Sequence, residues 1–147
     1  MTIHETFNAT LKRFIRGCQE NALTVVKLAA FKVHDDIVVR TPVDTGRCAA
    51  SWTVVPGRVP SEEVAPEIPK LGPAKERTAA RRAAKSFSRS VMQSAKAGQD
   101  TVWTIANNLP YVEALENGHS KQAPAGMVKL ALLDVTTELQ RAGGFRV

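Results

Sequence analysis

Cysteine and aromatic side chains are scarce in this sequence, and long apolar runs are missing. Its two cysteines, Cys18 and Cys48, form no Cys-x-x-Cys pair, so neither a disulfide framework nor a zinc ligand set is expected. No run approaches the roughly 18 apolar residues of a membrane span. The opening Met1-Thr2-Ile3-His4-Glu5 has no basic segment leading into an apolar one, so no secretory signal is expected. The expected product is soluble and made in a reducing compartment. Apolar residues nevertheless make up 44% and aromatics 5% of 147 residues, a balance that excludes an acidic disordered tail and collagen-like or low-complexity character. A chain of this length is one domain, able to bury about two-thirds of its surface. Residues 1–147 are read as a single domain.

The net charge is +6, from 20 Lys+Arg against 14 Asp+Glu. Residues 73–97 hold seven basic residues (Lys75, Arg77, Arg81, Arg82, Lys85, Arg89 and Lys96) against Glu76, and the remainder balances at thirteen of each sign. The excess therefore belongs to one segment. Cationic surfaces meet nucleic acid, anionic lipid or an acidic protein.

Between residues 5 and 40, Phe7, Leu11, Phe14, Cys18, Ala22, Val25, Ala29 and Val33 recur at helical spacing, flanked by Ile15, Val26 and Ile37. This predicts a helix of about 35 residues, roughly 50 Å long, with a break or kink allowed at Gly17. Pro42 sets its end. The length exceeds what a compact domain of this size needs, so the helix is expected to pack on neighbours too. The segment Thr41-Pro42-Val43-Asp44-Thr45-Gly46-Arg47 has turn chemistry, with Asp44 capping locally. Residues 50–55 read as a strand.

Residues 56–73 hold five of the eight prolines and read as an extended arm or loop. Pro73 opens a second helix, to about residue 97, with a modest stripe of Ala80, Ala84, Phe87, Val91 and Ala95. Lys75, Arg82, Arg89 and Lys96 recur every seven residues, with Arg81 and Lys85 beside them. Such a face suits a phosphate backbone, an acidic neighbour or solvent. It matches no helix-turn-helix or zinc-finger spacing and lacks interleaved aromatics. Residues 100–106 alternate like the first strand and are its expected antiparallel partner. Residues 107–110 are a turn, and residues 111–117 one or two helical turns closed by Gly118. Residues 124–142 form a last amphipathic helix, with Met127, Leu130, Ala131, Val135 and Leu139 on one side. The fold class is α+β: a long N-terminal helix, a small antiparallel sheet, a basic middle helix and a C-terminal amphipathic helix.

Catalytic patterns are weak. Asp44-Thr45-Gly46 matches the short aspartic-protease signature, but no second copy supplies the paired carboxylate. His34 beside Asp35 and Asp36 is a poor metal set, because adjacent helical residues point in different directions. Ser51 and Ser120 lack a Gly-x-Ser-x-Gly elbow. Glu113 and Glu116 share a helix face, a spacing that suits capping or pairing as well as acid–base work. No glycine loop for phosphate is present, and no enzyme activity, cofactor or metal is expected.

Two segments are more distinctive together than apart. They are Thr41-Pro42-Val43-Asp44-Thr45-Gly46-Arg47-Cys48-Ala49-Ala50-Ser51-Trp52, and Asn107-Asn108-Leu109-Pro110-Tyr111-Val112-Glu113-Ala114-Leu115-Glu116-Asn117-Gly118-His119 with Gln122-Ala123-Pro124-Ala125-Gly126-Met127. In this the chain resembles the neck and tail-completion (head–tail connector) proteins of lambda-like and HK97-like tailed bacteriophages. There a long helix leads into T-P-V-D-T-G-x-x-x-x-S-W, and N-x-x-P-Y-A-x-x-L-E-x-G-x-S-x-Q-A-P-x-G-M precedes a C-terminal helix. Val112 stands where Ala is usual and Cys48 where a larger aliphatic is common. Residues 56–98 are the least family-like part, an insert of arm and basic helix.

The resemblance implies a non-enzymatic virion protein, assembled in the host cytoplasm. It would form a six-fold or twelve-fold ring at the neck, between portal, adaptor or stopper proteins and the tail tube or its terminator. Genomic DNA would pass through the lumen, with non-specific contact available to the basic helix and no membrane involved. Pro42, Asp44, Thr45, Gly46 and Trp52 would shape the first turn and strand. Asn107, Pro110, Tyr111, Glu116, Gly118, Pro124, Gly126 and Met127 would shape the second block. Pro110 and Tyr111 would hold its loop, Glu116 would face a neighbour or cap a helix, and Met127 would start the last helix. The alternative is a small soluble nucleic-acid-binding protein using residues 73–97.

Overall fold

The computed structural model describes residues 3–57, 73–94 and 102–141. The parts of the proline-rich arm at 58–72, and Ala95, Lys96 and the end of the second helix, lie outside the described residues. The α+β class expected from the sequence is the class observed. In chain order the elements are α1 (Ile3–Arg40), α2 (Arg47–Ala50), β1 (Thr53–Pro56), α3 (Pro73–Ser94), β2 (Trp103–Ala106), α4 (Val112–Glu116) and α5 (Val128–Arg141).

Helix α1 runs unbroken through Gly17 for 38 residues, about 57 Å at 1.5 Å per residue. A globule of this chain length has a radius of gyration of only about 15 Å. Of the α1 side chains whose burial is described, the buried ones are Val33, His34, Ile37 and Val38, in its last two turns. Thr41 ends the helix by bonding back to the carbonyl of Ile37, through its amide at 2.9 Å and its hydroxyl at 2.7 Å.

Helices α3 and α5 both pack on α1. The main core joins Val33, Ile37 and Val38 of α1 to Trp52, Ala84 of α3, Ala123, Met127, and Ala131 and Val135 of α5. A smaller cluster of Val43, Ala49, Ala50 and Ala80 seats α2 on α3. The alanine stripe of α3 lets these backbones approach closely. Lys32 bridges to Asp36 at 3.1 Å and Glu138 of α5 at 3.8 Å, and Arg40 pairs with Asp134 of α5.

Strands β1 and β2 are antiparallel, with Thr53 opposite Ala106 and Pro56 opposite Trp103. Two strands alone are marginal in water, and β1 is backed by α3 and α1. Two boundaries differ from the expectation. The strand begins at Thr53, not Ala50, because Gly46 at φ 84° leads into the helical turn Arg47–Ala50. Ser51 closes that turn by donating its hydroxyl to the Arg47 carbonyl at 2.8 Å. The last helix begins at Val128, not Pro124, for a reason found in Glu116.

Candidate functional site

The first sequence block is clamped to the end of α1 at two points. The Trp52 indole N–H donates to the Thr41 hydroxyl at 2.9 Å, and that hydroxyl donates to the Ile37 carbonyl. His34 Nε2 lies 3.0 Å from the Trp52 carbonyl and donates to it, as only a donor satisfies that oxygen. All three residues are buried. Burial pushes the His34 imidazole below its ordinary value, with the bond to Trp52 and nearby Asp35 opposing. Thus His34 is a structural clamp; its position three residues before Ile37 and seven before Thr41, on one helix face, was the available signal.

The turn at 41–47 is shaped otherwise than expected. Gly46 is the N-cap of α2 and no side chain caps it; Thr45 Oγ1 makes only a long contact of 3.5 Å with the Arg47 N–H. Asp44 is exposed.

In the second block a single carboxylate organises the chain. Glu116, the last residue of α4, accepts the N–H groups of Met127 at 2.8 Å, Val128 at 2.9 Å and Lys129 at 3.0 Å. These are donors that the N-terminus of α5 leaves unmet, and negative charge there also suits the helix dipole. Burial works to raise the Glu116 pKa, but the three amide bonds and Lys129 outweigh it and the net shift is downward. The cap is remote in sequence, which is why α5 starts after Met127 and not at Pro124. Two glycines make the approach possible. Gly126 sits at φ 84°, where a Cβ would fall 2.6 Å from the Glu116 carbonyl oxygen and 2.8 Å from its Oε1. Gly118 sits at φ 85°, where a Cβ would meet the Pro124 carbonyl at 2.6 Å. Met127 is fully buried.

The loop before α4 is held in part by Asn107 and the buried Leu109; Pro110 and Tyr111 are exposed, and the Tyr111 carbonyl accepts the Leu115 N–H at 3.2 Å. Asn107 donates to the Cys48 carbonyl at 2.9 Å and accepts the Leu109 N–H at 3.2 Å. Through the bond to Cys48 the amide side chain reaches the neighbouring block. Gln122 makes the second tie, accepting the Val43 N–H at 3.2 Å. Asn107 to Cys48 and Gln122 to Val43 join the two blocks into one unit.

An open cleft of about 260 Å³ remains where they meet, with Asp44, Thr45, Cys48, Tyr111, His119 and Gln122 among its walls. Burial pushes the Cys48 thiol up to about 11 against a hydrogen bond from Asn107, so it is a thiol and not a thiolate nucleophile at neutral pH. His119 is committed through Nδ1 to the Ala114 carbonyl at 2.8 Å. Asp44 is the one carboxylate lining the cleft, short of the pair that an aspartic protease uses. No cluster of three or more His, Cys, Asp or Glu suited to a metal occurs among the described residues. Among the described residues no helix is long and apolar enough to cross a membrane.

The basic residues of α3 divide into tethered and open ones. Arg81 donates to the Val39 carbonyl at 2.8 Å, Lys85 pairs with Asp35 at 3.6 Å, and the Arg89 guanidinium sits 5.0 Å above the Phe31 ring. Arg82 is exposed. The Lys75 side chain and all of Lys96 lie outside the description. Asp35 lies between two basic side chains, with Oδ1 3.9 Å from His34 Nδ1 and Oδ2 3.6 Å from Lys85 Nζ.

Comparison with family models, with curated proteins and with solved structures gives no match for this chain.

Proposed function

We propose that the protein is a non-enzymatic structural component of the neck of a tailed phage, forming a homo-oligomeric ring that completes the tail or joins it to the DNA-filled head. The observation that carries this reading is the interlock of the two sequence blocks behind the resemblance. Several distinctive residues in them serve shape: Glu116 caps α5, Gly118 and Gly126 permit close backbone approach, and Asn107 and Gln122 tie block to block. Residues used in this way suit an assembly protein, whose function is its shape and its edges.

Helix α1 supports the same reading. It is far longer than its own core requires, and Leu28 is 66% exposed along it, with Leu133 on α5 62% exposed. Apolar side chains on long helices are suited to contacts between subunits. In a cyclic ring such contacts are head-to-tail, one surface of each copy meeting a different surface of the next.

The experiment is omission of the chain from assembling particles, followed by electron microscopy. The expected outcome is filled heads and finished tails that stay apart or join unstably. Normal joined particles without the chain would contradict the proposal.

A further inference from the structure

The outer face of α3 carries a groove of about 450 Å³ lined by Thr78, Arg81, Arg82, Lys85, Ser86 and Arg89. Every one of these side chains offers a hydrogen-bond donor, and no carboxylate lines the groove among the described residues. We propose that this groove binds the sugar–phosphate backbone of duplex DNA without reading its sequence. The inference goes beyond the neck assignment and does not depend on it, since the groove exists in the single chain.

Three arginines do the binding, and two of them are held in place beforehand. Arg81 is fixed by its Nη2 bond to the last turn of α1. Arg89 is steadied over Phe31, which limits the side-chain entropy lost on binding. Arg82 is exposed and makes no ion pair among the described residues. Lys85 is largely neutralised by Asp35 at 3.6 Å, so it adds less.

Phosphate is favoured over an acidic protein by the regular spacing of charge along a duplex strand. Guanidinium groups grip phosphate oxygens two at a time. Arg82 and Arg89 lie seven residues apart, about 10.5 Å along the helix axis, the rise of roughly three successive phosphates on one DNA strand. Hydroxyls such as Ser86 add neutral donors of the kind that position a protein on DNA. The chain's charge outside residues 73–97 balances to zero, so the attraction is directed to this face.

The test is fluorescence anisotropy of the full chain with labelled duplexes of two unrelated sequences, across a salt series. Three phosphate contacts predict a slope of log affinity on log salt near −2.7, hence a loss of roughly 40-fold between 50 and 200 mM salt. Both duplexes should bind equally. Arg82→Gln combined with Arg89→Gln should flatten the slope to about −0.9, a loss of only some 3- to 4-fold over the same range. Lys121→Gln with Arg141→Gln removes the same charge from exposed positions elsewhere and should leave binding unchanged. Circular dichroism of each variant confirms that it is folded. The proposal is overturned if DNA fails to bind at 50 mM salt, if the two double variants lose affinity equally, or if polyglutamate competes as well as DNA does.

Discussion

The carboxylate of Glu116 receives the main-chain N–H of Met127 at 2.8 Å, so that the last residue of α4 starts α5. Two further amides, of Val128 and Lys129, share the same group. Loss of a charged acceptor for helix-terminal amides costs about 2 kcal/mol. We expect Glu116→Ala to lower the melting temperature by about 4–8 °C, and Glu116→Gln, which keeps one oxygen, by about half as much. Thermal unfolding followed by circular dichroism measures both.

The same group makes stability depend on pH. Its folded pKa lies below the ordinary 4.5, so its contribution is complete above that value and is lost as pH falls through the folded pKa. The difference in unfolding free energy between wild type and Glu116→Gln should therefore narrow below pH 4.5. A difference that grows as the pH falls would show the sign to be wrong.

His34 acts in a higher window. Burial lowers its pKa from 6.5, so the unfolded chain takes up a proton before the folded chain does. Stability is complete above about pH 6.5 and declines as pH drops toward the folded value. His34→Gln, which still offers a donor to the Trp52 carbonyl, should flatten urea-derived stability across that window. An unchanged slope would mean that another group carries it.

Gly126 and Gly57 separate backbone strain from close contact. Both have positive φ, but a Cβ at Gly57 meets nothing within 4 Å while one at Gly126 meets Glu116 at 2.6 Å. Gly57→Ala should cost about 1 kcal/mol, the left-handed penalty alone. Gly126→Ala should cost about 3 kcal/mol or more, since the contact is with backbone and with the capping carboxylate. Chemical denaturation of the two variants gives the comparison, and equal losses would contradict it.

Trp52 and Thr41 should be coupled. Thr41→Val strands the indole N–H in the core, a loss of about 1–3 kcal/mol, whereas the same change in a Trp52→Phe background should cost less. A double-mutant cycle is expected to give a coupling of about 1 kcal/mol. Asp44→Asn, by contrast, changes an exposed residue and should leave both stability and particle assembly unaltered; loss of function with the fold intact would reopen the catalytic reading.

Much of this architecture is legible from local pattern. The spacing from Phe7 to Val33 and the stop at Pro42 define α1, and alternation around Trp103 and Val54 defines the strand pair. What stayed hidden is non-local. Pro124 looks like a helix start by every local rule, and only Glu116, brought back by the turns at Gly118 and Gly126, moves the start to Val128. His34 beside two aspartates resembles a metal ligand in one dimension. In three, its Nε2 is committed to the Trp52 carbonyl, and the Asp35 carboxylate beside its Nδ1 is shared with Lys85. The positive excess of residues 73–97 is plain in the sequence, but which arginines remain open depends on where α1 lies. Asn107 and Gln122 stood inside the recognised block without a role, because their partners Cys48 and Val43 belong to the other block.

The central claim is that this chain works as a ring at the head–tail junction. Cryo-electron microscopy of tailed particles, averaged about the tail axis, tests it most directly. The expected result is six or twelve copies of this fold in a closed ring, with α1 of each copy packed on the next. Particles whose junction holds no copy of the fold, or a single unclosed copy, would contradict it.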